Sequence, residues 1–208
     1  MVRPHLVIFA KEPRIGRVKT RLARDIGSVA AWAFYRRQVA AAAARLQGPG
    51  RWRTWLAVSP DRAIFRERIW PGGVARISQG AGDLGDRMAR IMAVLPPGPV
   101  VIVGTDVPGI RSAHIRGAFA RLGRRDAVIG PAADGGYWLI GLRRRPRIAD
   151  PFTGVRWSTR HAIKDTLANL KGLSVGRLEV LEDVDDGGDY KRFLKARKAK
   201  RCIPNTEP

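Results

Sequence analysis

A cluster of basic residues near the start of the chain is the first set of side chains that could do chemistry. It follows a short apolar run, residues 6–10, and holds five cations: Lys11, Arg14, Arg17, Lys19 and Arg21. Cations that converge with the free N–H groups at the start of a helix bind anions, and Gly16 permits a tight turn. The pattern predicts an anion site, with a solvated basic loop as the alternative. The residues we assign to it are Lys11, Gly16, Lys19 and Arg21.

Two familiar phosphate-binding motifs are missing from this loop. A Walker motif needs a glycine, four further residues and then Gly-Lys followed by Ser or Thr. Here Gly16 is followed by Arg17, and no glycine stands five positions earlier. The Gly-x-Gly-x-x-Gly fingerprint of dinucleotide-binding folds is also missing. Phosphates must therefore be held in another way.

Asp106 follows the apolar run Val100–Val103, within the motif Gly-Thr-Asp-Val-Pro. A carboxylate that faces phosphates is repelled unless a cation lies between them. Mg²⁺ or Mn²⁺ fills that role, since both ions take oxygen ligands from carboxylates and phosphates. We therefore predict that Asp106 binds such a metal. The alternative is that Asp106 caps the following turn.

A second acidic segment, Asp-Val-Asp-Asp-Gly-Gly-Asp, occupies residues 183–189. Asp185 or Asp183 could supply a second metal ligand, and we assign Asp185. The glutamate that closes an EF-hand calcium loop is missing at its place. The alternative is an acidic turn before the last helix.

The motif Asp-Gly-Gly-Tyr at residues 134–137 suits contact with a substrate. Its glycines let a substrate approach the backbone closely, and a carboxylate accepts a hydrogen bond from a hydroxyl or amine. We assign Gly135, Gly136 and Tyr137 to substrate contact, and Asp134 to acceptor contact or general-base catalysis. A Gly-Gly pair forms a plain hairpin turn equally well.

A flexible polar loop around residues 79–87 could contact a nucleobase edge or a ribose. Gln79 and Asp83 offer the donors and acceptors for that contact. Asp83 could equally be the N-cap of the next helix.

Strand-like and helix-like segments alternate along the chain. The predicted strands lie near residues 6–10, 54–58, 74–77, 100–104, 127–130, 137–142 and 177–181. The predicted helices lie near residues 29–46, 61–69, 83–95, 112–122, 158–170 and 190–200, with N-caps at Ser28, Ser112 and Ser158. This alternation favours an α/β fold with a mostly parallel sheet covered on both faces. Ligands of such sheets bind beyond the carboxyl ends of the strands.

The composition fits one folded domain. The chain has 208 residues, 45% of them hydrophobic, and single cores usually stop growing near about 250 residues. Cys202 is the only cysteine, so we expect no disulfide and no cysteine zinc site. The apolar run at residues 6–10 is too short for a signal-peptide core or a membrane span. We expect one domain over residues 1–195, a basic tail over residues 196–208 and a cytoplasmic location, and the sequence leaves the oligomeric state open.

The net charge of +21 raises the question of nucleic-acid binding. The arginines are scattered through the chain, and no stretch interleaves them with aromatic residues that look exposed, as a nucleic-acid surface would. The densest basic run, Lys191–Arg201, suits a helical end or a solvated tail. A small anionic substrate explains the charge as well, so we expect no specific nucleic-acid partner.

Five motifs occur in a characteristic order: Lys11…Gly16…Lys19-Thr-Arg-Leu22, Gly82-Asp-Leu-Gly85, Gly104-Thr-Asp-Val-Pro108, Pro131…Asp134-Gly-Gly-Tyr137 and Asp183-Val-Asp185. Over about residues 5–195 the chain resembles a bacterial family of GT-A-like nucleotide-diphospho-sugar transferases, some members of which are assigned as glycosyltransferases in arsenosugar biosynthesis. It is also similar to 2-phospholactate guanylyltransferase and molybdenum cofactor guanylyltransferase. Their C-terminal motif has Thr-Pro-Glu where this chain has Asp186-Gly187-Gly188, which leaves the transferred group open.

The resemblance implies a three-layer α/β/α fold of the GT-A type, with the nucleotide over the first and fourth strands. It also implies that Asp106 is the metal-binding aspartate and Asp185 the second carboxylate. Lys11 and Lys19 would then lie near the phosphates.

We therefore expect glycosyl transfer from a nucleoside diphosphate-sugar to a small acceptor. Mg²⁺ or Mn²⁺ on Asp106, together with Lys11 and Lys19, would stabilise the leaving diphosphate. One alternative is nucleotidyl transfer from a nucleoside triphosphate to a phosphorylated small molecule. The non-enzyme alternative is a basic module that binds RNA or a membrane through Lys191–Arg201.

Overall fold

A seven-stranded β-sheet forms the centre of the computed structural model, which describes residues 2–48, 50–144 and 150–201. In chain order its strands are β1 (His5–Lys11), β2 (Arg53–Ser59), β3 (Ala75–Ser78), β4 (Val100–Val103), β5 (Ala127–Pro131), β6 (Tyr137–Leu142) and β7 (Val175–Arg177). Their spatial order is β3-β2-β1-β4-β6-β5-β7. Neighbouring strands are parallel except where β6 pairs with β4 and β5. The predicted mostly parallel sheet is confirmed.

The described residues also form six α-helices: α1 (Thr20–Ile26), α2 (Ser28–Arg45), α3 (Leu84–Val94), α4 (Ser112–Leu122), α5 (Ala162–Asn169) and α6 (Gly187–Arg201). Helices α2 and α4 cover one face of the sheet, where Tyr35 and Ile115 join one hydrophobic cluster. Helix α3 and the end of α5 cover the other face, where Ile91 and Leu170 join a second cluster. The three-layer α/β/α prediction is therefore confirmed.

The sequence of β1 explains this two-sided packing. Leu6 and Ile8 belong to the cluster under α2 and α4, whereas Val7 belongs to the cluster on the opposite face. All three side chains are fully buried. Because successive strand residues point to opposite faces, a strand covered on both sides requires a continuous apolar run.

A third, smaller cluster joins the two ends of the described chain. Leu22 of α1, Phe34 of α2 and Val184 are buried together, and Tyr190 and Phe193 of α6 pack against them. The Phe34 and Tyr190 rings meet edge to face, with centroids 5.2 Å apart. This packing is favourable for aromatic pairs, and it holds the segment before α6 against the helices that follow β1.

Three predicted helix starts differ from the structure. Ser28 and Ser112 are the first residues inside α2 and α4 rather than their caps. Helix α5 begins only at Ala162, and Ser158 instead adopts a left-handed conformation with φ of 60°. Gly27, with φ of 85°, occupies the cap position of α2, because α1 ends directly before it.

Other differences concern short elements. Helix α1 was not among the predicted helices. The helix predicted at residues 61–69 forms two 3-10 segments, Asp61–Phe65 and Glu67–Ile69, because Arg66 between them has non-helical angles (φ −88°, ψ 78°). The late strand predicted at residues 177–181 lies earlier, at Val175–Arg177.

Helix α6 continues through the predicted boundary at residue 195 and ends at Arg201. Cys202 and the rest of the predicted tail, residues 202–208, lie outside the described residues. None of the helices in the described part of the chain combines the length and the apolar character needed to cross a membrane.

Candidate active site

The candidate site lies at the carboxyl ends of β1 and β4. The chain continues from β1 to β2 on one side of β1, whereas β4 lies on the other side, so the strand order reverses between β1 and β4. Ligands of open α/β sheets bind at such a switch point. A cavity of about 540 Å³ opens there, bordered by the end of β1 and by the loop that follows β4.

Half of the residues that we assigned to the site border this cavity: Lys11, Lys19, Arg21, Gln79, Asp106 and Asp185. Gly16 and Asp83 are not part of its lining, and neither is the turn at residues 134–137. The structure therefore brings together the basic loop, both predicted metal ligands and one predicted nucleobase contact.

Lys19 lines the cavity and is the residue directly before α1. Its backbone is left-handed (φ 48°, ψ 48°), and its carbonyl accepts the first hydrogen bond of the helix, from the Ala23 N–H at 2.8 Å. The Lys19 side chain is only 6% exposed. An inward-pointing ammonium is costly to bury unless it is paired, so its partners decide whether it can stay charged.

Those partners are the two predicted metal ligands. Lys19 Nζ lies 2.6 Å from Asp106 Oδ1 and 2.7 Å from Asp185 Oδ1. The backbone holds the carboxylates together, because the Val184 N–H donates to the Asp106 carbonyl at 3.0 Å. Arg21 lies beside this group, 3.5 Å from Asp185 Oδ2.

The pKa of Lys19 is set by two opposing effects, burial of the ammonium and the negative charges of the two carboxylates. Burial lowers the pKa, but the charges and hydrogen bonds of Asp106 and Asp185 outweigh it, so the pKa is raised above its usual value. Lys19 is therefore a cation at neutral pH. The site holds one positive charge between two negative ones.

The carboxylates fit a divalent cation by their chemistry. Asp106 and Asp185 are 53% and 40% exposed and border the same cavity. Over residues 2–48, 50–144 and 150–201 there is no cluster of three or more His, Cys, Asp or Glu that could hold a metal. Two carboxylates with water and substrate phosphates completing the shell is the usual arrangement for Mg²⁺, so these residues suit a metal that arrives with a phosphate ligand.

Two further cations of the basic loop remain available to an anion. Lys11 and Arg17 border the cavity, and within the described chain the Lys11 ammonium and the Arg17 guanidinium make no ion pair. Gly16, with φ of 73°, supplies the predicted tight turn, which the Arg17 N–H closes onto the Arg14 carbonyl at 3.0 Å. Gly16 thus shapes the loop rather than lining the cavity.

Tyr35 of α2 is a lining residue that we did not predict. Its hydroxyl accepts from the Lys11 N–H at 2.7 Å and donates to the Lys11 carbonyl at 2.9 Å. Burial, followed by the charge of Asp106, raises the pKa of Tyr35, so the hydroxyl stays protonated. No sequence motif surrounds Tyr35, whereas Thr105, another lining residue, could have been found beside Asp106.

Gln79 closes the wall of the cavity on the β3 side. Its side-chain amide donates to the Ala57 carbonyl at 2.8 Å and to the Ala10 carbonyl at 3.2 Å. An amide nitrogen has two protons, and both are used in these hydrogen bonds. Only the side-chain carbonyl oxygen of Gln79, Oε1, therefore remains for a ligand. A nucleobase that meets Gln79 must therefore present a donor.

Asp83 acts as the N-cap of α3. Its side chain accepts from the Asp86 N–H at 2.9 Å, and the Asp86 side chain accepts from the Asp83 N–H at 2.9 Å. This reciprocal capping box satisfies two backbone donors at the helix start. The capping alternative for Asp83 is correct, and contact with a nucleotide stays a prediction.

The turn between β5 and β6 uses the predicted Asp-Gly-Gly motif. Asp134 Oδ1 accepts from the Gly136 N–H at 2.9 Å, and Gly135 has φ of 87°. A Cβ on Gly135 would lie 2.6 Å from the Arg160 carbonyl oxygen. The motif therefore forms a tight hairpin turn, as the alternative predicted, and its substrate contacts stay predictions.

Asp134 and Tyr137 differ in their exposure, since Asp134 is exposed and Tyr137 is partly buried. The pKa of Asp183 is raised by burial and then by the charges of Asp185 and Asp134, so the Asp134 carboxylate acts on the same acidic segment. The Tyr137 hydroxyl instead lies 3.4 Å from Thr166 Oγ1 of α5, and burial raises the pKa of this phenol. A role in substrate contact is easier to reconcile with Asp134 than with Tyr137.

The mostly parallel sheet with its switch point between β1 and β4 is a fold that the chain shares with a protein provisionally described as a nucleotide-diphospho-sugar transferase. The chain belongs to the family DUF2064, described as an uncharacterised protein conserved in bacteria, whose model matches residues 41–159. No curated protein matches the chain.

Solved structures agree with this architecture. A protein from Desulfovibrio desulfuricans G20, provisionally described as a nucleotide-diphospho-sugar transferase, is 29% identical, with 95% of this chain and 89% of that chain covered and a TM-score of 0.86. A nucleotidyl transferase from Methanothermobacter thermautotrophicus is 13% identical, with 95% and 99% covered and a TM-score of 0.64. Rv0371c from Mycobacterium tuberculosis H37Rv, in complex with manganese, is 18% identical, with 94% and 100% covered and a TM-score of 0.53. The last two show the fold alone.

Proposed function

We propose that the chain transfers a glycosyl group from a nucleoside diphosphate-sugar to a small acceptor. The observation that carries the proposal is the group formed by Lys19, Asp106 and Asp185 at the switch point of the sheet. Its charges suit a diphosphate that binds together with a divalent cation. The likeness to the Desulfovibrio protein, which is provisionally described as a nucleotide-diphospho-sugar transferase, supports the donor class.

The donor would bind with its diphosphate against the basic loop. Lys11 and Arg17 border the cavity without ion-pair partners in the described chain, so their charges are available to phosphate oxygens. The base would lie toward Gln79, whose carbonyl oxygen accepts a donor on the base edge.

Asp106 and Asp185 would hold Mg²⁺ or Mn²⁺. When bound, the metal would neutralise charge on the departing diphosphate. The Rv0371c protein, which has the same fold, is described in complex with manganese, and this makes Mn²⁺ a suitable first choice in experiments.

In the transfer, the bond between the anomeric carbon and the diphosphate oxygen breaks, and a bond from an acceptor oxygen to that carbon forms. The nucleoside diphosphate leaves, and the acceptor hydroxyl proton passes to a base. Asp134 of the predicted Asp-Gly-Gly-Tyr motif is the candidate base, because its carboxylate is exposed and can take a proton. Lys11 and Lys19 stabilise the negative charge that develops on the leaving group.

Nucleotidyl transfer is the second candidate, because a nucleotidyl transferase shares the fold. In that reaction a phosphorylated small molecule attacks the α-phosphate of a nucleoside triphosphate and pyrophosphate leaves. Positioning and charge neutralisation would again supply most of the rate. The released product distinguishes the two reactions.

The test is a thermal-shift screen of nucleoside diphosphate-sugars and triphosphates with and without Mn²⁺, followed by identification of the released product. Binding to the folded state raises the melting temperature by mass action. We expect Asp106→Asn and Asp185→Asn to lose the metal-dependent shift and about 100-fold or more of the rate. Glu182→Gln is the matched control, since Glu182 is 74% exposed and outside the cavity lining.

Release of a nucleoside diphosphate supports glycosyl transfer, and release of pyrophosphate supports nucleotidyl transfer. If Asp106→Asn keeps full activity and the full metal-dependent shift in melting temperature, Asp106 is not a metal ligand. If no nucleotide shifts the melting temperature of the unmodified protein, the proposed function fails as a whole.

A further inference from the structure

The ammonium of Lys19 occupies the position that a metal bridging Asp106 Oδ1 and Asp185 Oδ1 would need. It contacts one oxygen of each carboxylate, at 2.6 and 2.7 Å, and it is almost fully buried. Two carboxylates held this close repel each other unless a cation lies between them. In the described structure Lys19 is that cation.

A divalent metal and the Lys19 ammonium cannot share these oxygens. Mg²⁺ sits about 2.0–2.1 Å from its oxygen ligands, which would bring it close to an ammonium already in contact with them. The repulsion between the two cations would oppose both. A metal that bridges these two oxygens therefore requires Lys19 to move away.

The cavity offers Lys19 a place to move to. Lys19 borders the same space as Lys11 and Arg17, which is where an incoming phosphate would lie. The lysine side chain is a flexible stem with a compact charge, so its ammonium can exchange a carboxylate partner for a phosphate oxygen without moving α1.

We propose that Lys19 is an exchangeable counter-cation, which holds Asp106 and Asp185 together until a phosphate draws its ammonium away and leaves the two carboxylates to a divalent metal. The inference rests on the proposed function in taking the incoming phosphate from a nucleotide. It assigns Lys19 two sequential partners, and it makes the binding of nucleotide and metal mutually dependent.

The coupling has a defined sign. Nucleotide raises the affinity for metal because it removes the competing ammonium, and metal raises the affinity for nucleotide by the same factor. A protein with no cation at position 19 has lost the competitor. Without nucleotide it binds metal more tightly than the unmodified protein does, and adding nucleotide then improves metal binding less, because no ammonium has to be removed.

The experiment measures Mn²⁺ affinity from the electron paramagnetic resonance signal of free Mn²⁺. The unmodified protein is compared with Lys19→Met and with Arg17→Met, first with Mn²⁺ alone. Arg17→Met is the matched control, because it removes one cation from the same cavity without touching either carboxylate. We expect Lys19→Met to bind Mn²⁺ at least about tenfold more tightly, and Arg17→Met to change the affinity by less than about threefold.

The second half repeats the titrations with UDP and with GDP, against protein-free mixtures of the same nucleotide and Mn²⁺. We expect a nucleotide to tighten Mn²⁺ binding to the unmodified protein by about tenfold or more, and Lys19→Met to lose most of that gain. Lys19→Gln serves as a second variant if the methionine variant does not fold, because it keeps a polar contact with the carboxylates. It should change the Mn²⁺ affinity in the same direction.

Equal or weaker Mn²⁺ binding by Lys19→Met, relative to Arg17→Met, would overturn the inference and leave Lys19 as a structural ion-pair partner. A different result would contradict the proposed function while leaving this inference intact. Suppose that Lys19→Met binds Mn²⁺ more tightly but neither nucleotide binds the unmodified protein. The competition between Lys19 and the metal for the carboxylates is then supported, and the proposed reaction with a nucleotide is contradicted.

Discussion

The hydroxyl of Tyr35 holds both backbone groups of Lys11, accepting from its N–H at 2.7 Å and donating to its carbonyl at 2.9 Å. Twenty-four positions separate the two residues, so one side chain of α2 fixes the point at which β1 becomes the basic loop. Because buried backbone groups are costly to leave unpaired, this contact both stabilises the fold and sets the direction in which Lys11 leaves the strand.

We predict that Tyr35→Phe lowers the free energy of unfolding by about 1–3 kcal/mol and weakens nucleotide binding more than it lowers the turnover number. Urea denaturation and a nucleotide titration measure the two effects. Tyr190→Phe is the matched control, since that ring packs on Phe34 and no hydrogen bond of its hydroxyl occurs within the described residues. Equal effects of the two variants would show that Tyr35 contributes only packing.

The variant Asp134→Asn distinguishes the role of Asp134 in the turn from its proposed role as a general base. The asparagine carbonyl can still accept from the Gly136 N–H, as Asp134 Oδ1 does at 2.9 Å, but the side chain can no longer take a proton. We expect an unchanged melting temperature and a turnover number lowered by about 100-fold or more, as for loss of a general base. Steady-state kinetics at saturating donor measures this, and a variant that keeps its full rate would exclude Asp134 as the base.

The two glycines of the same turn should respond differently to alanine. Gly135 has φ of 87°, and a Cβ there would meet the Arg160 carbonyl at 2.6 Å, whereas a Cβ on Gly136 would lie 3.1 Å from a carboxylate oxygen of Asp134. We expect Gly135→Ala to lower the melting temperature by several degrees, since a strained, crowded site costs about 1–3 kcal/mol. Gly136→Ala should lower it less, because the neighbour that must shift is the end of the exposed Asp134 side chain rather than backbone.

Gly136→Ala then tests the predicted close approach of a substrate. A raised KM for the acceptor in this stably folded variant would support the contact. An unchanged KM would restrict the glycine pair to its role in the turn.

His5 should make the stability of the fold depend on pH. Its Nδ1 accepts from Trp55 Nε1 at 3.1 Å, and burial is the main cause that lowers its pKa below the usual 6.5. The unfolded chain therefore binds a proton more readily than the folded one, so the folded state loses stability as the pH falls below 6.5. We expect the unmodified protein to lose more stability than His5→Asn between about pH 7.5 and 5.0.

Urea denaturation of both proteins at the two pH values measures this effect. The comparison is made on the change between the two pH values, because other groups titrate equally in both proteins. A stability difference that stays constant with pH would show that His5 does not contribute.

The sheet could be predicted well from local patterns. The run Val100–Val103 is short, β-branched and bounded by Pro99 and Gly104, which together favour a strand covered on both faces. Because parallel strands end at the same edge, the loops that carry Lys11 and Asp106 had to lie close together. The six assigned residues around the cavity follow largely from this one geometric argument.

Contacts that depend on tertiary packing could not be predicted in the same way. Lys19 and Asp185 are 166 positions apart, and their contact depends on how α6 packs against α1 and α2 through Phe34. The Tyr35 hydroxyl binds the backbone N–H and carbonyl of Lys11. Every residue has a backbone carbonyl, so such a contact leaves no signature in the sequence. At Ser158 a local capping preference gave the wrong helix start, because the chain there turns through a left-handed residue and α5 begins at Ala162.

The distance in sequence between Lys19 and Asp185 has a consequence for protein synthesis. Once synthesis has passed the end of β7 at Arg177, the chain contains the residues of every strand of the sheet, but of the two carboxylate partners of Lys19 it contains only Asp106. The second carboxylate arrives after residue 184, together with the helix that anchors it. A message truncated before that codon would give a chain with its sheet and without a finished site.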